Sequence, residues 1–434
     1  MFAAVLPMQT NRIFIRHHFS AQEKTPMPRR ARRIVTGVLI AIVALVAALA
    51  AFVWWGPVTI SDKRVMLGFL LGRGIEPPSV TRIAMQLRVP PGLAVYAYST
   101  DVPLARVIVF TSTGDLIVSR TRAGVVSLLE RDRNGDGRAD GHRVLLDDLD
   151  GPHGLALHDG WLYVAERTAV ARVRFDAATG QLAGPYTPIL TGLTTDGFHQ
   201  TKTIGFGPDG WLYLSQGSSC NVCIEKDARR ATVMRMRPDG SQPEIVAAGL
   251  RNSIGFDWAP WDGAMYATEN GRDLLGDDFP PDELNRIEPG RFYGWPYVNG
   301  AGVPDPDFGA GNESKAADAT PPVHEFRPHN APLGIRFLRS TQLSPGFERT
   351  ALVALHGSWN RKSPDGYKVV SLHLQPDGRF VERDFLTGFL GPDGIIGRPA
   401  WVTEGPDGAI YVSDDYAGVV YRVIANQLAG TTSQ

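Results

Sequence analysis

Only two cysteines occur in 434 residues, neither charge is in surplus, and past Trp55 there is almost no helical periodicity. Each shortage closes off a class of protein. Lys and Arg total 44 against 45 Asp and Glu, a formal net charge of -1, so the basic excess or stripe of a nucleic-acid binder is missing. Both cysteines, Cys220 and Cys223, lie in "SSCNVC", and no second pair exists to complete a zinc site. Ile224 follows Cys223, which excludes a C-x-x-C-H haem attachment. No βαβ pattern surrounds the pair, which argues against a thioredoxin-like redox role. In an oxidising compartment the spacing reads as a disulfide closing a tight loop. The scarcity of helical spacing argues for an all-β fold.

What the chain has instead begins with one long apolar run. "PRRARR" precedes "IVTGVLIAIVALVAALAAFVWW", Ile34 to Trp55, which carries no charge. At a rise of about 1.5 Å per residue it can cross a bilayer core. The arginines before it place its N-terminal side in the cytoplasm, and Trp54 and Trp55 suit an interfacial belt. Small residues closing the run also fit a cleaved signal, but the run is longer than a usual signal core, so an uncleaved anchor is the favoured reading. Either way the remainder is exported. The expected layout is a short basic cytoplasmic segment over 1–33, an anchor over 34–55, a tether over 56–90, a globular domain over 91–426 and a tail over 427–434.

Through the exported region a single pattern recurs: a turn ending in Gly, then a short apolar strand. It reads "TSTGDLIVS", "LHDGWLYVAE", "GPDGWLYLSQG", "PWDGAMYATEN", a degenerate "GFERTALVALHG", and "GPDGAIYVSDD". The first four glycines, Gly114, Gly160, Gly210 and Gly263, recur at roughly fifty residues, the spacing of a β-propeller blade. Six copies predict six blades. The spacing stretches after the fourth copy, where "TENGRDLLGDDFPPDELN" and a Gly/Pro/Asp-rich segment intervene. Long insertions between propeller strands gather at one face, where ligands bind.

Equivalent strand ends of the blades converge on one mouth of a central channel. "GPHG" (His153) and "GFHQ" (His199, Gln200) precede their repeat strands in one frame. Arg251 and Asn252 of "GLRNSIGF", and Arg398 of "IGRPAWV", fall in the same frame. "HGSWNRK" adds His356, Trp359, Asn360 and Arg361 beyond the fifth strand. A fixed guanidinium beside an amide suits a carboxylate or quinone oxygen. Hard oxygens at variable spacing in the acidic stretch suit Ca2+. A second acidic run, "DRNGDGRAD", starts like an EF-hand loop but has Arg143 at its twelfth position, so a hairpin turn is the better reading.

Together "GLRNSIGF", "TENGRDLLGDDFPPDELNRI", "GRFYGWPY", "HGSWNRKSPDGYKVV" and "GRPAWVTEGPDGAIYVSDD" resemble the sorbosone dehydrogenase family, related to the soluble pyrroloquinoline-quinone (PQQ) glucose and aldose-sugar dehydrogenases. The resemblance runs from about Gly92 to Val423. It implies a six-bladed propeller with PQQ and Ca2+ at the mouth, oxidising a sugar, aldose or sugar aldehyde. It implies His199 as general base, Arg251 and Asn252 on the quinone oxygens, and Arg398 on a cofactor carboxylate. Gly271 and Arg272 would hold the catalytic Ca2+ through their carbonyls. Asp282, Glu283 and the Tyr293 carbonyl would hold a structural one. With no haem motif in the chain, the expected electron acceptor is a membrane quinone or a separate cytochrome. The expected place is the outer side of a bacterial cytoplasmic membrane.

The sequence departs from that pattern in four places. Arg272 stands where the glucose enzymes have proline. Ser218 stands where an acid orients the base. The substrate glutamine is absent, leaving Asp150 or His153 near the substrate, and His356-Gly357 fall where a lysine meets the cofactor. Two other functions fit a propeller. A calcium-dependent lactonase or hydrolase needs Asn, Asp and Glu side chains aimed at a central ion, where this chain offers mostly Arg and His. A non-catalytic binding propeller gives no reason for convergent arginines. One roomy cleft shared by His199, Arg251 and Arg398 separates the first reading from both.

Overall fold

The computed structural model describes residues 28–55, 60–71, 74–340, 343 and 345–426. The tail, most of the basic segment and some of the tether lie outside these residues. The chain divides into two units, 1–57 and 58–434. The first is described as one helix, α1 (Arg29–Trp55), whose apolar side chains from Ile34 to Val46 stand exposed. By length and composition it can cross a membrane, a property that a signal sequence shares.

In the second unit six four-stranded antiparallel sheets form the blades of a propeller. Within the first five blades the strands follow one another in order, each hairpin pairing neighbours. The first blade, for example, runs Ile108–Phe110, Leu116–Arg120, Val125–Glu130 and Gly141–Leu146. The repeated glycines sit where the sequence pattern places them, in the turn between a blade's first and second strands. Gly114, Gly160, Gly210, Gly263, Gly346 and Gly408 all have positive φ there, between 69° and 102°. That backbone is open to glycine at little cost and explains the recurrence. The acidic stretch lies inside the fourth blade, between its second strand (Met265–Glu269) and its third (Asp282–Ile287), and the Gly/Pro-rich segment lies between the third and the fourth (His324–Phe326).

The last blade closes the ring. Its first three strands are Pro399–Glu404, Ile410–Asp414 and Val419–Ala425, and its outermost strand is the chain's first, Leu93–Ser99. Leu93 pairs with Ala425 and Ala97 with Tyr421, so the two ends of the domain are laced together. Closure also covers the apolar sheet faces that the first and last blades of an open array would leave exposed. The core fills the gaps between blades. Leu352, Val369, Phe385, Phe389, Val412, Tyr421 and Val423 make one such layer between the fifth and sixth blades.

The stretch read as a tether is more ordered than that, and helical where little helix was expected. It carries α2 (Lys63–Leu70) and α3 (Val80–Gln86). Ser79 caps α3 by accepting the Arg82 N–H, and Ile83 is buried in the layer above. A one-turn apolar contact like this has no long period to reveal it in sequence. Farther on, Arg88 pairs with Thr387 and the Ile75 N–H bonds the Tyr416 carbonyl, so the segment lies against the last two blades.

Two outcomes follow from the closing blade. Tyr421 is fully buried, stacks edge-on to Phe389 and reaches Asp414 through its hydroxyl. Tyr421→Ala should cost about 3–5 kcal/mol, read as a lower denaturant midpoint with the fold retained. Asp414 accepts the backbone N–H groups of Arg398, Tyr416 and Ala417, and burial pushes its pKa up from 3.8 to about 7. The native state therefore holds this proton more tightly than the unfolded chain. Its stabilisation is complete below about pH 4 and is lost as pH rises through about 7. Asp414→Asn keeps the acceptor without the titration, so between about pH 4 and 8 its melting temperature should fall less steeply than the wild type's.

Candidate active site

At one mouth of the channel a cavity of about 600 Å³ opens. His199, Gln200, Arg251, Asn252, His356 and Arg398 all line it, each delivered by a segment that precedes or follows a blade's inner strands. The shared frame read from the sequence thus corresponds to a shared height in space. Ile254, Ala331 and Leu333 supply apolar wall, and Ile254 and Leu333 pack on Ala400 beneath.

His199 has φ of 47°, a backbone seldom adopted by a residue with a Cβ. Its Nδ1 lies 2.9 Å from both the carbonyl and the hydroxyl oxygen of Ser218. A carbonyl can only accept, and the Ser218 hydroxyl spends its proton on the Cys220 carbonyl. Nδ1 must therefore carry the hydrogen, which leaves the lone pair on Nε2. Burial pushes the pKa of His199 down to about 3, with Arg251 and Arg230 adding to the shift. Arg230 is buried and ties the Ser218 and Phe198 carbonyls together, clamping the two ends of this arrangement. The missing orienting acid is thus replaced by Ser218 and a backbone carbonyl.

Arg251 is 4% exposed and all five of its N–H groups are taken. Nε donates to the Asn221 carbonyl at 2.9 Å, Nη1 to the Asn270 and Gly271 carbonyls at 3.1 and 2.8 Å, and Nη2 to Asn221 Oδ1 and Asp273 Oδ2 at 2.9 and 3.0 Å. It is not left over to grip a quinone oxygen, as the resemblance implies. Its neighbour Asn252 is the opposite case. The Glu269 carboxylate fixes the Asn252 backbone N–H, while the side-chain amide finds no partner among the described residues. Arg398 hangs from the His356 and Gly357 carbonyls through Nε and Nη2, leaving Nη1 without a partner among the described residues. His356 pairs with Asp415 at 2.8 Å. Burial favours the protonated acid at Asp415, but His356 and Arg106 outweigh it and hold the carboxyl well below its usual range.

Six expected site residues, His153, Asp150, Asp282, Glu283, Tyr293 and Arg272, stand outside the cavity wall. His153 is fully buried off the cavity, its Nδ1 near the Lys202 carbonyl, so it does not reach a substrate. Asp150 is bound to Arg167 and Thr168 and is not among the residues of the cavity wall. Asp282 and Glu283 are successive strand residues and so point to opposite faces. Asp282 accepts the Gly271 and Ala331 N–H groups; Glu283 accepts the Gly300 N–H and the Asn285 amide. Their two carboxylates therefore do not aim at one point; the Tyr293 phenol bonds the Arg286 carbonyl and the Glu288 N–H, while the ligand that the resemblance implies is the Tyr293 carbonyl. The Arg272 side chain is turned away to Asp305 and Asp307, so its charge stays off the mouth. Gln200 lines the cavity, but its amide is held by Thr195, Gly197 and Arg167.

The disulfide expected from the spacing joins Cys220 to Cys223. Several other functional residues escaped the sequence. Asn221, inside that disulfide loop, is held against Arg251 and Asp273. Asp273, in the acidic stretch, also accepts the Trp359 indole N–H. Asp277 accepts the Lys362 N–H across the same gap. Arg106, Asp62 and Val65 complete the cavity wall. Ser61 bonds Ser358, Trp359 and Arg361, so the chain before α2 is stitched to the fifth-blade loop.

The donor set fits a flat aromatic polycarboxylate: apolar wall, Arg106 and Arg398 with N–H groups to spare, the Asn252 amide and a neutral imidazole around one cleft. The same set does not fit a calcium ion held by Gly271, whose carbonyl is already engaged by Arg251.

Residues 159–422 match the family model described as Glucose / Sorbosone dehydrogenase. An uncharacterized protein of Borreliella burgdorferi is 38% identical over 217 residues, 49% of this chain and 56% of that protein. A pyrroloquinoline quinone-dependent pyranose dehydrogenase of Coprinopsis cinerea is 24% identical over 423 residues, 80% of this chain and 56% of that protein. The chain thus spans a little over half the length of these two relatives. The holo form of the PQQ domain of that Coprinopsis pyranose dehydrogenase superposes with a TM-score of 0.68 at 22% identity, covering 80% of this chain and 98% of the other, a likeness of fold. With more than half of its residues matched by one family model, the chain belongs to the glucose/sorbosone dehydrogenase family.

Proposed function

We propose that this protein is a membrane-tethered, PQQ-dependent dehydrogenase that oxidises a sugar, aldose or sugar aldehyde outside the cytoplasmic membrane. The observation that carries the reading is a neutral His199 with its lone pair on Nε2, in one cavity with Asn252 and Arg398. When bound, PQQ would supply the acceptor for the hydride, that is, for both electrons of the oxidation. His199 takes the proton of the substrate hydroxyl, or of the hydrated aldehyde, as the C–H bond breaks. The Asn252 amide donates to a cofactor carbonyl, and Nη1 of Arg398 binds a carboxylate. Arg106, beside Asp415, places a second cation on the same wall. The membrane anchor is helix α1, and the electrons pass on to a membrane quinone or a separate cytochrome. The lactonase and binding-propeller alternatives lose ground. The cavity presents cations and imidazoles rather than a central carboxylate cage.

Purified full-length protein in detergent, loaded with PQQ, should reduce a dye with some member of a sugar and sugar-aldehyde panel. His199→Ala should lower kcat by about 100-fold or more while PQQ binding persists. Absence of turnover on every substrate, or a variant as active as the wild type, rejects the assignment. The pH profile is a separate check. Since His199 is neutral down to about 3, kcat/KM should show no acid limb near pH 6.5. A limb there that His199→Ala removes contradicts the role given to this residue.

A further inference from the structure

The five oxygens around Arg251 form the kind of shell that calcium takes. Two are side-chain oxygens, Asn221 Oδ1 and Asp273 Oδ2, and three are the carbonyls of Asn221, Asn270 and Gly271. All are hard, and they come from two loops, one bearing Asn221 and one running from Asn270 to Asp273. A guanidinium fills the space between them, one N–H to each oxygen. The shell is prebuilt. The Cys220–Cys223 disulfide closes the loop bearing Asn221, and Asn221 and Asp273 bond each other twice, through the Asp273 N–H at 2.8 Å and the Asn221 amide at 3.0 Å. Trp359 holds the other Asp273 oxygen.

We infer that Arg251 is a built-in replacement for a calcium ion at this mouth, so the site carries its positive charge covalently and needs no metal. The charge balance favours this. One carboxylate against one guanidinium is neutral, whereas Ca2+ added beside them leaves two excess charges in a buried place. Displacing the guanidinium strands five buried N–H groups, each of which costs a desolvation penalty of about 1–3 kcal/mol. Arginine also stays charged at any working pH, so the arrangement is indifferent to chelators. Arg251 is thereby a positioning residue: it fixes the Asn270–Asp273 loop at the cavity wall. The use made of its charge rests on the function proposed above; the exclusion of calcium from this shell does not.

The test uses Ca2+ alone on full-length protein in detergent, stripped with EDTA. The wild type should melt at the same temperature with EDTA as with millimolar CaCl2, apart from any change that Asp273→Asn shares. Calorimetry should find no calcium heat that Asp273→Asn abolishes. Arg251→Ala vacates the shell and leaves it one charge negative, so it should melt lower, recover on adding CaCl2, and bind Ca2+ about tenfold or more tighter than the wild type. If the variant does not fold, the wild-type comparison still decides. Calcium that stabilises the wild type and loses its effect in Asp273→Asn overturns the inference. PQQ enters neither readout, so a chain that takes no quinone rejects the assigned function without touching this result.

Discussion

The lacing of Leu93–Ser99 onto Val419–Ala425 is the constraint on which the rest depends. Blades are held side by side by apolar layers that have no direction of their own. Only a closed ring fixes the distance between the first and last. Once the ring is shut, segments from separate blades must end at one mouth. Loops far apart in sequence then meet at hydrogen-bond distance: Ser61 with Ser358, Arg106 with Asp415, Asn221 with Asp273, Arg398 with His356. None of these contacts is local, and none has much worth in water alone. Their precision comes from the scaffold.

At the mouth, burial decides which charges survive. His199 is kept neutral by its surroundings, while Arg251 remains charged and spends every donor on the protein. The two are neighbours through Ser218, whose N–H bonds the Arg251 carbonyl. A cation packed beside a base is what a deprotonated imidazole needs: it raises the cost of protonation without taking the lone pair. Base and cation therefore form a joint electrostatic device, and changing either alters the other's working state.

Much of this is readable in the amino-acid order. Six turn glycines are legible because a positive φ at the same place in each blade selects the same residue. His199, Arg251, Asn252 and Arg398 are legible because they share a frame relative to those turns. His153 shares that frame and still misses the cavity, since frame fixes the height of a residue but not the direction of its side chain. Asp282 and Glu283 send their side chains to opposite faces by the alternation of a strand, which their adjacency in the sequence hides. Asn221 and Asp273 act across blades, and Arg230 across loops at the mouth of the third blade, and contacts of that kind leave no period in the sequence. The helices α2 and α3 are too short for periodicity to declare them.

The central claim is that one cavity binds a planar polycarboxylate quinone against Arg398 and Asn252, with His199 beside it. An equilibrium titration of PQQ into the full-length protein, followed by protein fluorescence, tests it most directly. The account predicts saturable binding at one site per chain that weakens by about tenfold or more in Arg398→Ala and in Asn252→Ala. Binding that is absent, or that is untouched in both variants, contradicts it.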